Sequence, residues 1–350
     1  MDEVRIGFVG VGGMGQMAHL RNYVSVEGCR VVALAELREK TARLVAERYG
    51  VQKVYPDHRA MLAAEDLDGV VASQPFASHA ALLPEIYPRV KYVFTEKPLA
   101  VSVAAGQDLA AAAHQAGCTH MVGYHKRSDP ATMRAKAVVD AWRQSGRMGA
   151  LRYVRILMPA GDWIAGGFTG LIDGGDARPD LPVEAKPDDM DRAVYDAYVS
   201  FVNYYIHQVN LMRHLLGGPY EVTYAEPSGV LLAVRGASGT AGTIEMTPYR
   251  TTVGWDESAL VAFESGYVLL RLPAPLASNR AGTVEVYEDP GGGAVPRRSS
   301  PVLPPVHAMR QQAVNFVAVC RGQMPPPCDA AEAAEDLRAA REYVRMRFGK

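Results

Sequence analysis

Short apolar runs alternate with helix-length segments in the first part of the chain. Apolar runs of this length, bounded by turn residues, predict buried strands, which we place at Val4–Val9, Cys29–Ala35, 67–72, 92–95 and Thr119–Gly123, with a short edge strand at Lys53–Tyr55. The segments between them predict helices at 14–23, 38–49, 78–86 and 102–116. Alternating strands and helices predict a parallel sheet with helices on both faces and right-handed crossovers.

The pattern changes after Pro130. A helix at 131–144 and a strand at 151–157 precede a polar loop, 159–192, and a long helix, 195–216, ends at Gly217-Gly218-Pro219. Six strands then follow without helices between them, at 220–225, 229–234, 242–246, 258–264, 266–272 and 284–287. Consecutive strands predict a largely antiparallel sheet with one open face, and Ser265-Gly266 predicts a hairpin. Helices at 309–320 and 330–345, the second capped by Asp329, complete the pattern.

The predicted fold class is therefore α/β with two domains. Residues 1–127 form a Rossmann-type domain, and residues 128–350 form an α+β domain on an open antiparallel sheet. A length of 350 residues suits two domains of ordinary size.

Composition narrows the function classes. The chain has 37 Lys and Arg against 38 Asp and Glu, and no basic patch of the nucleic-acid type, so we expect no nucleic-acid partner. No apolar run approaches the roughly 20 residues that span a bilayer, so we expect no membrane partner. The chain enters a strand almost at once, and we expect a cytoplasmic protein. Cys29, Cys118, Cys320 and Cys328 are scattered without a CxxC pair, which predicts reduced thiols and no metal centre.

The first predicted strand ends in Gly10-x-Gly12-x-x-Gly15, the dinucleotide fingerprint in its strand–turn–helix context. The first glycine permits the tight turn, the second lets the backbone approach a pyrophosphate, and the third lets helix and strand pack closely. The predicted phosphate contacts are Gly10, Gly12, Gly13 and Met14. The alternative is a glycine-rich turn that holds no ligand.

Glu36 follows the second strand, about 20 residues beyond the last glycine, where an acidic side chain accepts hydrogen bonds from the ribose 2′-OH. A carboxylate there repels a 2′-phosphate, so we predict NAD as the cofactor. Arg38, two positions on, is able to accept that phosphate, and NADP therefore stays open. The alternative for Glu36 is a solvated residue that caps the next helix.

Two groups are candidates for the chemistry. Lys97, in Glu96-Lys97-Pro98, follows the strand that borders the nicotinamide in such a sheet and can stabilise negative charge on a substrate oxygen. His207 is the second, since Asn203, His207 and Asn210 share one face of a continuous helix. The alternatives are a surface lysine and a hydrogen-bonded core histidine. His79 lies near the cofactor crevice and is better explained as a structural residue.

These residues resemble the Gfo/Idh/MocA family, the relatives of glucose–fructose oxidoreductase and inositol dehydrogenase. The resemblance rests on the glycine motif from Val9 to Gly15, Ala35-Glu36, Pro75 with His79, Glu96-Lys97-Pro98-Leu99-Ala100, Gly123-Tyr124 with Arg127, and His207 with Asn210. It implies a Rossmann domain and a second domain whose open sheet makes dimer or tetramer contacts. It also implies a substrate among sugars, cyclitols and related polyols.

Carried over by position, the resemblance makes Lys97 the catalytic lysine and His207 the acid/base histidine. Inositol-dehydrogenase-like members have an aspartate four residues before that histidine, where this chain has Asn203. Asn203 orients a hydroxyl but takes no proton, and Tyr204 or Tyr205 is the alternative source of one. The full set of predicted cofactor contacts adds Glu36, Arg38, Pro75, His79, Glu96 and Lys97 to the glycine loop. The predicted substrate contacts are Lys97, Tyr124, Arg127, Asp162, Trp163, Asn203, Tyr204 and His207.

The predicted function is an NAD(P)-dependent oxidoreductase that interconverts a secondary hydroxyl and a ketone on a sugar, amino sugar or cyclitol. The acidic loop 159–192 leads toward His207, and its carboxylates favour a cationic substrate such as an amino sugar; the alternative is a solvated acidic loop. Two other functions stay open. One is a glycosidase or lyase that oxidises its substrate transiently, and the other is a dinucleotide-binding sensor without turnover.

Overall fold

The computed structural model describes residues 3–349, which divide into two compact units. The N-terminal unit contains the described residues up to Tyr124 together with Gly166–Met190 and Met309–Leu337. The second unit contains His125–Ala165, Asp191–Ala308 and the described residues from Arg338 onward. Neither unit is continuous in sequence, whereas the prediction has 1–127 and 128–350 as continuous domains. Gly166–Met190 and Met309–Leu337 join the N-terminal unit through contacts with residues far away in sequence. Such contacts are not visible in the local pattern of apolar and polar residues.

The sheet of the N-terminal unit is parallel throughout, as predicted. Its strands are β1 (Val4–Val9), β2 (Cys29–Ala35), β3 (Lys53–Tyr55), β4 (Gly69–Ala72), β5 (Tyr92–Glu96) and β6 (Thr119–Gly123). Their order in the sheet is β3-β2-β1-β4-β5-β6. The order reverses between β1 and β4, and in such sheets dinucleotides bind at this point, outside the carboxyl ends of the strands.

Helices connect these strands. A π-helical turn, Gly15–Leu20, continues into α1 (Arg21–Tyr23), and the next helices are α2 (Glu39–Tyr49), α3 (His58–Ala64), α4 (His79–Ile86) and α5 (Val103–Gln115). Helix α3 is absent from the prediction, although Asp57 marks its start by accepting a hydrogen bond from the Ala60 N–H at 2.8 Å. The apolar pattern of 14–23 predicts an amphipathic helix, but all six residues of the π-helical turn are buried.

The core of the N-terminal unit explains why a late segment belongs to it. Phe316 lies on α9 (Ala308–Cys320), with its ring 6.2 Å from that of Tyr23 and 5.7 Å from that of Phe94. Phe8 and Tyr23 meet edge to face at 5.4 Å. All four aromatic side chains are buried. Aromatic burial of this kind is a large stabilising contribution, and it fixes α9 on the sheet.

The second unit has an eight-stranded sheet. Its strands are β7 (Leu151–Ala160), β8 (Tyr220–Ala225), β9 (Leu231–Gly236), β10 (Ala241–Arg250), β11 (Glu257–Phe263), β12 (Gly266–Leu272), β13 (Thr283–Glu288) and β14 (Arg297–Ser299). The order is β14-β13-β12-β11-β7-β10-β9-β8, antiparallel except where β7 pairs with β10. Residues of β11 and β12 alternate between buried and less buried positions, so one face of the sheet is covered and the other is more open. The predicted class is confirmed. Oligomer contacts through the open face stay a prediction.

The long helix expected at 195–216 is two helices. Helix α7 (Arg192–Tyr204) ends one residue before α8 (Ile206–Leu216), and Tyr205 lies between them. The Tyr205 phenol is anchored to the neighbouring strands, because it hydrogen-bonds the Thr247 hydroxyl and donates to the Met158 carbonyl at 3.3 Å. Apolar periodicity continues across such a break and does not mark it.

The remaining helices are α6 (Pro130–Ser145) and α10 (Ala330–Phe348), and Asp329 caps the latter, as predicted, by accepting a hydrogen bond from the Glu332 N–H at 2.8 Å. Within residues 3–349 no helix is both long and apolar enough to cross a bilayer. Across the same residues, no three side chains of metal-ligating type come together.

Candidate functional site

The loop after β1 has the backbone geometry that a pyrophosphate requires. Gly10 has φ +86°, and a side-chain carbon there would lie 2.9 Å from the Ser73 carbonyl oxygen. Such a carbon at Gly15 would lie 2.6 Å from the Gly10 carbonyl oxygen, so only glycine allows the helix to pack this closely. Gly12 differs, since a side-chain carbon added there would lie 4.0 Å from Arg38 Nη2, its nearest neighbour. The space above Gly12 is therefore open for a phosphate.

Because Gly12 faces open space and Gly15 contacts backbone, alanine variants of the two glycines distinguish an effect on NADH binding from an effect on stability. Gly12→Ala is expected to leave the unfolding temperature unchanged and to weaken NADH binding by at least about tenfold, because the added methyl fills only the open side of the loop. In Gly15→Ala the added methyl collides with the Gly10 carbonyl oxygen. This variant is expected to lower the free energy of unfolding by about 1–3 kcal/mol in addition to weakening NADH binding. Thermal unfolding and NADH fluorescence titration measure the two effects. Equal affinity of Gly12→Ala and the parent would contradict the assignment of the phosphate site.

Glu36 and Arg38, both predicted cofactor residues, lie together at the end of β2. Glu36 Oε2 accepts hydrogen bonds from the Val11 N–H at 2.8 Å and from Arg38 Nη2 at 2.9 Å. Its Oε1 accepts from the Arg38 backbone N–H at 3.1 Å and from Nε at 3.0 Å. Burial raises the pKa of Glu36, but the bonds from Arg38 and Val11 outweigh it and hold the pKa below its usual value. Glu36 is therefore ionised at neutral pH and ties Arg38 to itself.

The predicted catalytic lysine follows a buried carboxylate. Lys97 is half-buried directly after β5, and its backbone N–H donates to Glu96 Oε2 at 3.2 Å. Glu96 Oε1 lies 2.7 Å from Nε2 of His19, which is buried. Burial raises the pKa of Glu96, yet the hydrogen bond and charge of His19 and the charge of Lys97 bring it below its usual value. A pinned, ionised Glu96 keeps the Lys97 backbone in place.

His79 supports the chain just beyond this lysine. It is fully buried, and its Nδ1 lies 2.9 Å from the Leu99 carbonyl oxygen. Burial lowers the pKa of His79 more than its backbone hydrogen bonds raise it, so the ring is neutral and Nδ1–H is the donor. This agrees with the structural explanation of His79 given from the sequence.

Two further predicted contacts lie in the same unit. Pro75, a predicted cofactor contact, is exposed, and Tyr124, a predicted substrate contact, is buried.

In the second unit, His207 lies on α8 in a polar cluster. Its buried ring meets the ring of His125 edge to face, with centroids 4.4 Å apart. The neighbouring Asn210 accepts a hydrogen bond from Arg127 Nε at 2.6 Å. Gln208 donates to Glu257 Oε1 at 2.7 Å, and Glu257 Oε2 lies 2.6 Å from Lys126 Nζ. The turn His125–Ser128 is thus fixed against α8.

The prediction that Asn203, His207 and Asn210 share one face assumes a continuous helix, which the structure does not have. Asn203 lies on α7, beyond the break at Tyr205, and its side chain is exposed while His207 and Asn210 are buried. Asn203 stays a predicted substrate contact without this geometric support.

The two tyrosines before His207 keep their protons at neutral pH. Burial raises the pKa of Tyr205 to about 12 despite its hydrogen bond with Thr247. Burial also raises the pKa of Tyr204, whose hydroxyl accepts from the Gly161 N–H at 3.4 Å. Neither phenol is prepared to act as a base.

Asp162 and Trp163 have local roles in the second unit. The Asp162 carboxylate accepts hydrogen bonds from the N–H groups of Ile164 at 2.9 Å and Ala165 at 3.1 Å, and so forms a turn. The Trp163 carbonyl accepts from the Leu276 N–H at 3.2 Å. Their predicted contact with substrate stays a prediction.

Comparison with known proteins identifies the N-terminal unit. Residues 4–124 match the family model GFO_IDH_MocA, described as an oxidoreductase family with an NAD-binding Rossmann fold. In this N-terminal part the chain is similar to the Gfo/Idh/MocA family. Its residues 4–124 form an NAD-binding Rossmann domain, and the open glycine loop and ionised Glu36 fit that cofactor.

Several curated relatives are inositol dehydrogenases. Inositol 2-dehydrogenase of Rubrobacter xylanophilus is 35% identical over 150 residues, which cover 43% of this chain and 42% of that protein. The scyllo-inositol 2-dehydrogenase (NAD(+)) of Bacillus subtilis is 25% identical over 246 residues, 69% of this chain and 67% of that protein. The chain spans less than half the length of several other relatives that it matches.

Solved structures of similar fold cover nearly the whole chain. An oxidoreductase domain protein from Kribbella flavida superposes with a TM-score of 0.73 at 19% identity, covering 100% of this chain and 98% of that one. Levoglucosan dehydrogenase in complex with NADH and levoglucosan superposes with a TM-score of 0.72 at 16% identity, covering 99% and 98%. At these identities the likeness establishes the fold of both units.

Sequence reasoning missed three members of the polar clusters in this chain: His19, His125 and Glu257. His125 lies in the turn near the predicted domain boundary, directly after Tyr124, which is a predicted substrate contact. Its position in the sequence could therefore have identified it as a candidate. His19 and Glu257 meet their partners over 77 and 131 positions of sequence, and no local motif marks them.

Proposed function

We propose that this chain is an NAD-dependent oxidoreductase that interconverts a secondary hydroxyl and a ketone on a sugar or cyclitol. The observation that carries the proposal is Lys97 at the carboxyl end of β5 in an NAD-binding Rossmann domain, where the nicotinamide of such a domain lies. The inositol dehydrogenases among the relatives support a cyclitol or sugar as the substrate class.

Each proposed group has one task. A bound NAD would supply nicotinamide C4 as the hydride acceptor for oxidation of the substrate alcohol to a ketone. His207 would take the proton of the substrate hydroxyl. The Lys97 ammonium stabilises the negative charge that develops on the oxygen. Glu96, held by His19, supports Lys97 through the backbone without competing for substrate.

The structure removes one argument about substrate charge. The acidic loop was expected to favour a cationic substrate, but its segment Gly166–Met190 belongs to the N-terminal unit. The carboxylates of Asp176 and Glu184 accept hydrogen bonds from backbone N–H groups there, so their charges are used in docking the loop. We therefore propose a neutral polyol in place of an amino sugar.

The test is a panel of inositols, neutral sugars, glycosides and amino sugars, each supplied with NAD and NADP in parallel, with substrate consumption and reduced-cofactor absorbance both followed. NAD-dependent NADH accumulation with a neutral polyol is the expected result. Consumption of a glycoside without net NADH would support transient oxidation by a glycosidase or lyase. Tight NADH binding without turnover of any compound would support the sensor function and contradict the proposal.

A further inference from the structure

Segment Gly166–Met190, here called the strap, has no regular helix or strand and lies along the N-terminal unit. It begins at the glycine loop, where the Phe168 ring lies 3.6 Å from the position of a side-chain carbon added at Gly13. The Gln16 side chain then binds both polar groups of the Ile172 backbone, donating to its carbonyl at 2.9 Å and accepting from its N–H at 3.0 Å. The strap is therefore attached beside the pyrophosphate site.

The strap next reaches the start of α2, which follows Glu36 and Arg38 in sequence. Asp176 accepts hydrogen bonds from the backbone N–H groups of Lys40 at 3.1 Å and Thr41 at 2.9 Å, and from the Thr41 hydroxyl at 2.9 Å. These are the N–H groups that a helix N-terminus offers to an anion. A carboxylate from a residue 136 positions away occupies them.

A second carboxylate holds the far end of the strap. Glu184 accepts hydrogen bonds from the N–H groups of Val101 and Ser102, both at 2.9 Å, just before α5. Its own N–H donates to the Ala77 carbonyl at 2.7 Å. The stretch between Asp176 and Glu184 is thus fixed at both ends, across the carboxyl edge of the sheet.

This fixed stretch encloses a cavity of about 320 Å³. Pro179, Asp180, Leu181 and Pro182 line it on the strap side. The residues lining it from the sheet and helices are Val9, Ala35, Glu36, Leu37, Asp57, His58, Arg59, Gln74, Ser78, Ala81, Leu82 and Glu85. Half of all these lining residues are apolar, and Glu36, the predicted partner of the ribose, lies among the polar ones. Apolar walls for a base beside an acidic group for a ribose have the chemistry of an adenosine site.

We propose that the strap is part of the NAD site, closes the adenosine pocket and makes Asp176 a second selector against the 2′-phosphate of NADP. The donors that would receive such a phosphate already hold carboxylates: Arg38 is bound to Glu36, and the start of α2 is bound to Asp176. A 2′-phosphate there meets two negative charges. The inference rests on the NAD-dependent function proposed above but is tested by binding alone.

The test titrates NADH and NADPH fluorescence with the full chain. Asp176→Asn removes the charge and keeps the side-chain volume and one of the two acceptor oxygens. It is expected to tighten NADPH binding by about tenfold while NADH binding changes by less than about threefold. Asp188→Asn, the same change at an exposed position of the strap, is the matched control and is expected to alter neither affinity. A NADPH-to-NADH ratio that Asp176→Asn leaves unchanged would overturn the selector role.

Leu181→Trp tests the pocket independently, because the larger ring fills a cavity that Leu181 lines. A loss of NADH affinity of at least about tenfold with an unchanged unfolding temperature is expected. Unchanged NADH affinity would overturn the strap's place in the site. A parent protein that binds neither dinucleotide would instead contradict the proposed function.

Discussion

Replacing Lys97 with alanine is expected to lower turnover by at least about a hundredfold while NADH affinity stays within about threefold. The side chain is half-buried and follows the strand end that borders the nicotinamide, so its ammonium acts on charge that develops on the substrate oxygen and contributes little to holding the nucleotide. The measurement is steady-state turnover on the best polyol of the panel, with NADH binding followed by fluorescence.

Lys91→Ala is the matched control, because this exposed lysine directly precedes the same strand. It removes the same charge from the same element and is expected to leave turnover unchanged. Undiminished turnover of Lys97→Ala would rule out its catalytic role. A parallel loss of NADH affinity would show that Lys97 holds the nucleotide instead.

Lys126→Met is expected to destabilise the second unit by about 3–5 kcal/mol, since it leaves the Glu257 charge buried without its partner. The Lys126 and Glu257 side chains are only 4% and 0% exposed, and Nζ lies 2.6 Å from Oε2. Trp255 Nε1 and Gln208 Nε2 also donate to this carboxylate, at 3.2 Å and 2.7 Å. Urea unfolding of the variant and the parent measures the difference.

Two further variants separate burial from charge pairing. Lys126→Met combined with Glu257→Gln removes both charges and is expected to recover much of the loss, because no ion then stays buried alone. Arg43→Ala breaks an ion pair with Glu39 whose side chains are each 73% exposed, and a change within about 1 kcal/mol is expected. A Lys126→Met protein as stable as the parent would contradict the role given to this pair.

The Rossmann sheet was predictable because its strands are local. Each is a short apolar run that ends at a turn, so strands such as Cys29–Ala35 and Thr119–Gly123 have the predicted bounds. Helix α3 was missed because it has only seven residues, too few for an apolar period to be recognised. The break at Tyr205 was missed because no proline or glycine marks it in the sequence.

In the candidate site, too, the residues in local motifs were predicted and those with distant partners were not. The glycine loop, Glu36 and Lys97 lie within short motifs whose spacing has a physical meaning, so sequence alone found them. Asp176 and Glu184 stand out in the sequence only as members of an acidic loop, and the prediction placed that loop near the substrate. Their partners lie 135 and 83 residues away, and only the folded chain shows that these carboxylates bind helix starts.

The most direct test of the account is a crystal structure of the full chain with NADH. The account predicts the pyrophosphate on the loop from Gly10 to Gly15, a ribose hydroxyl at Glu36 and nicotinamide C4 facing the Lys97 ammonium. A dinucleotide bound elsewhere, or a nicotinamide from which Lys97 points away, would contradict it.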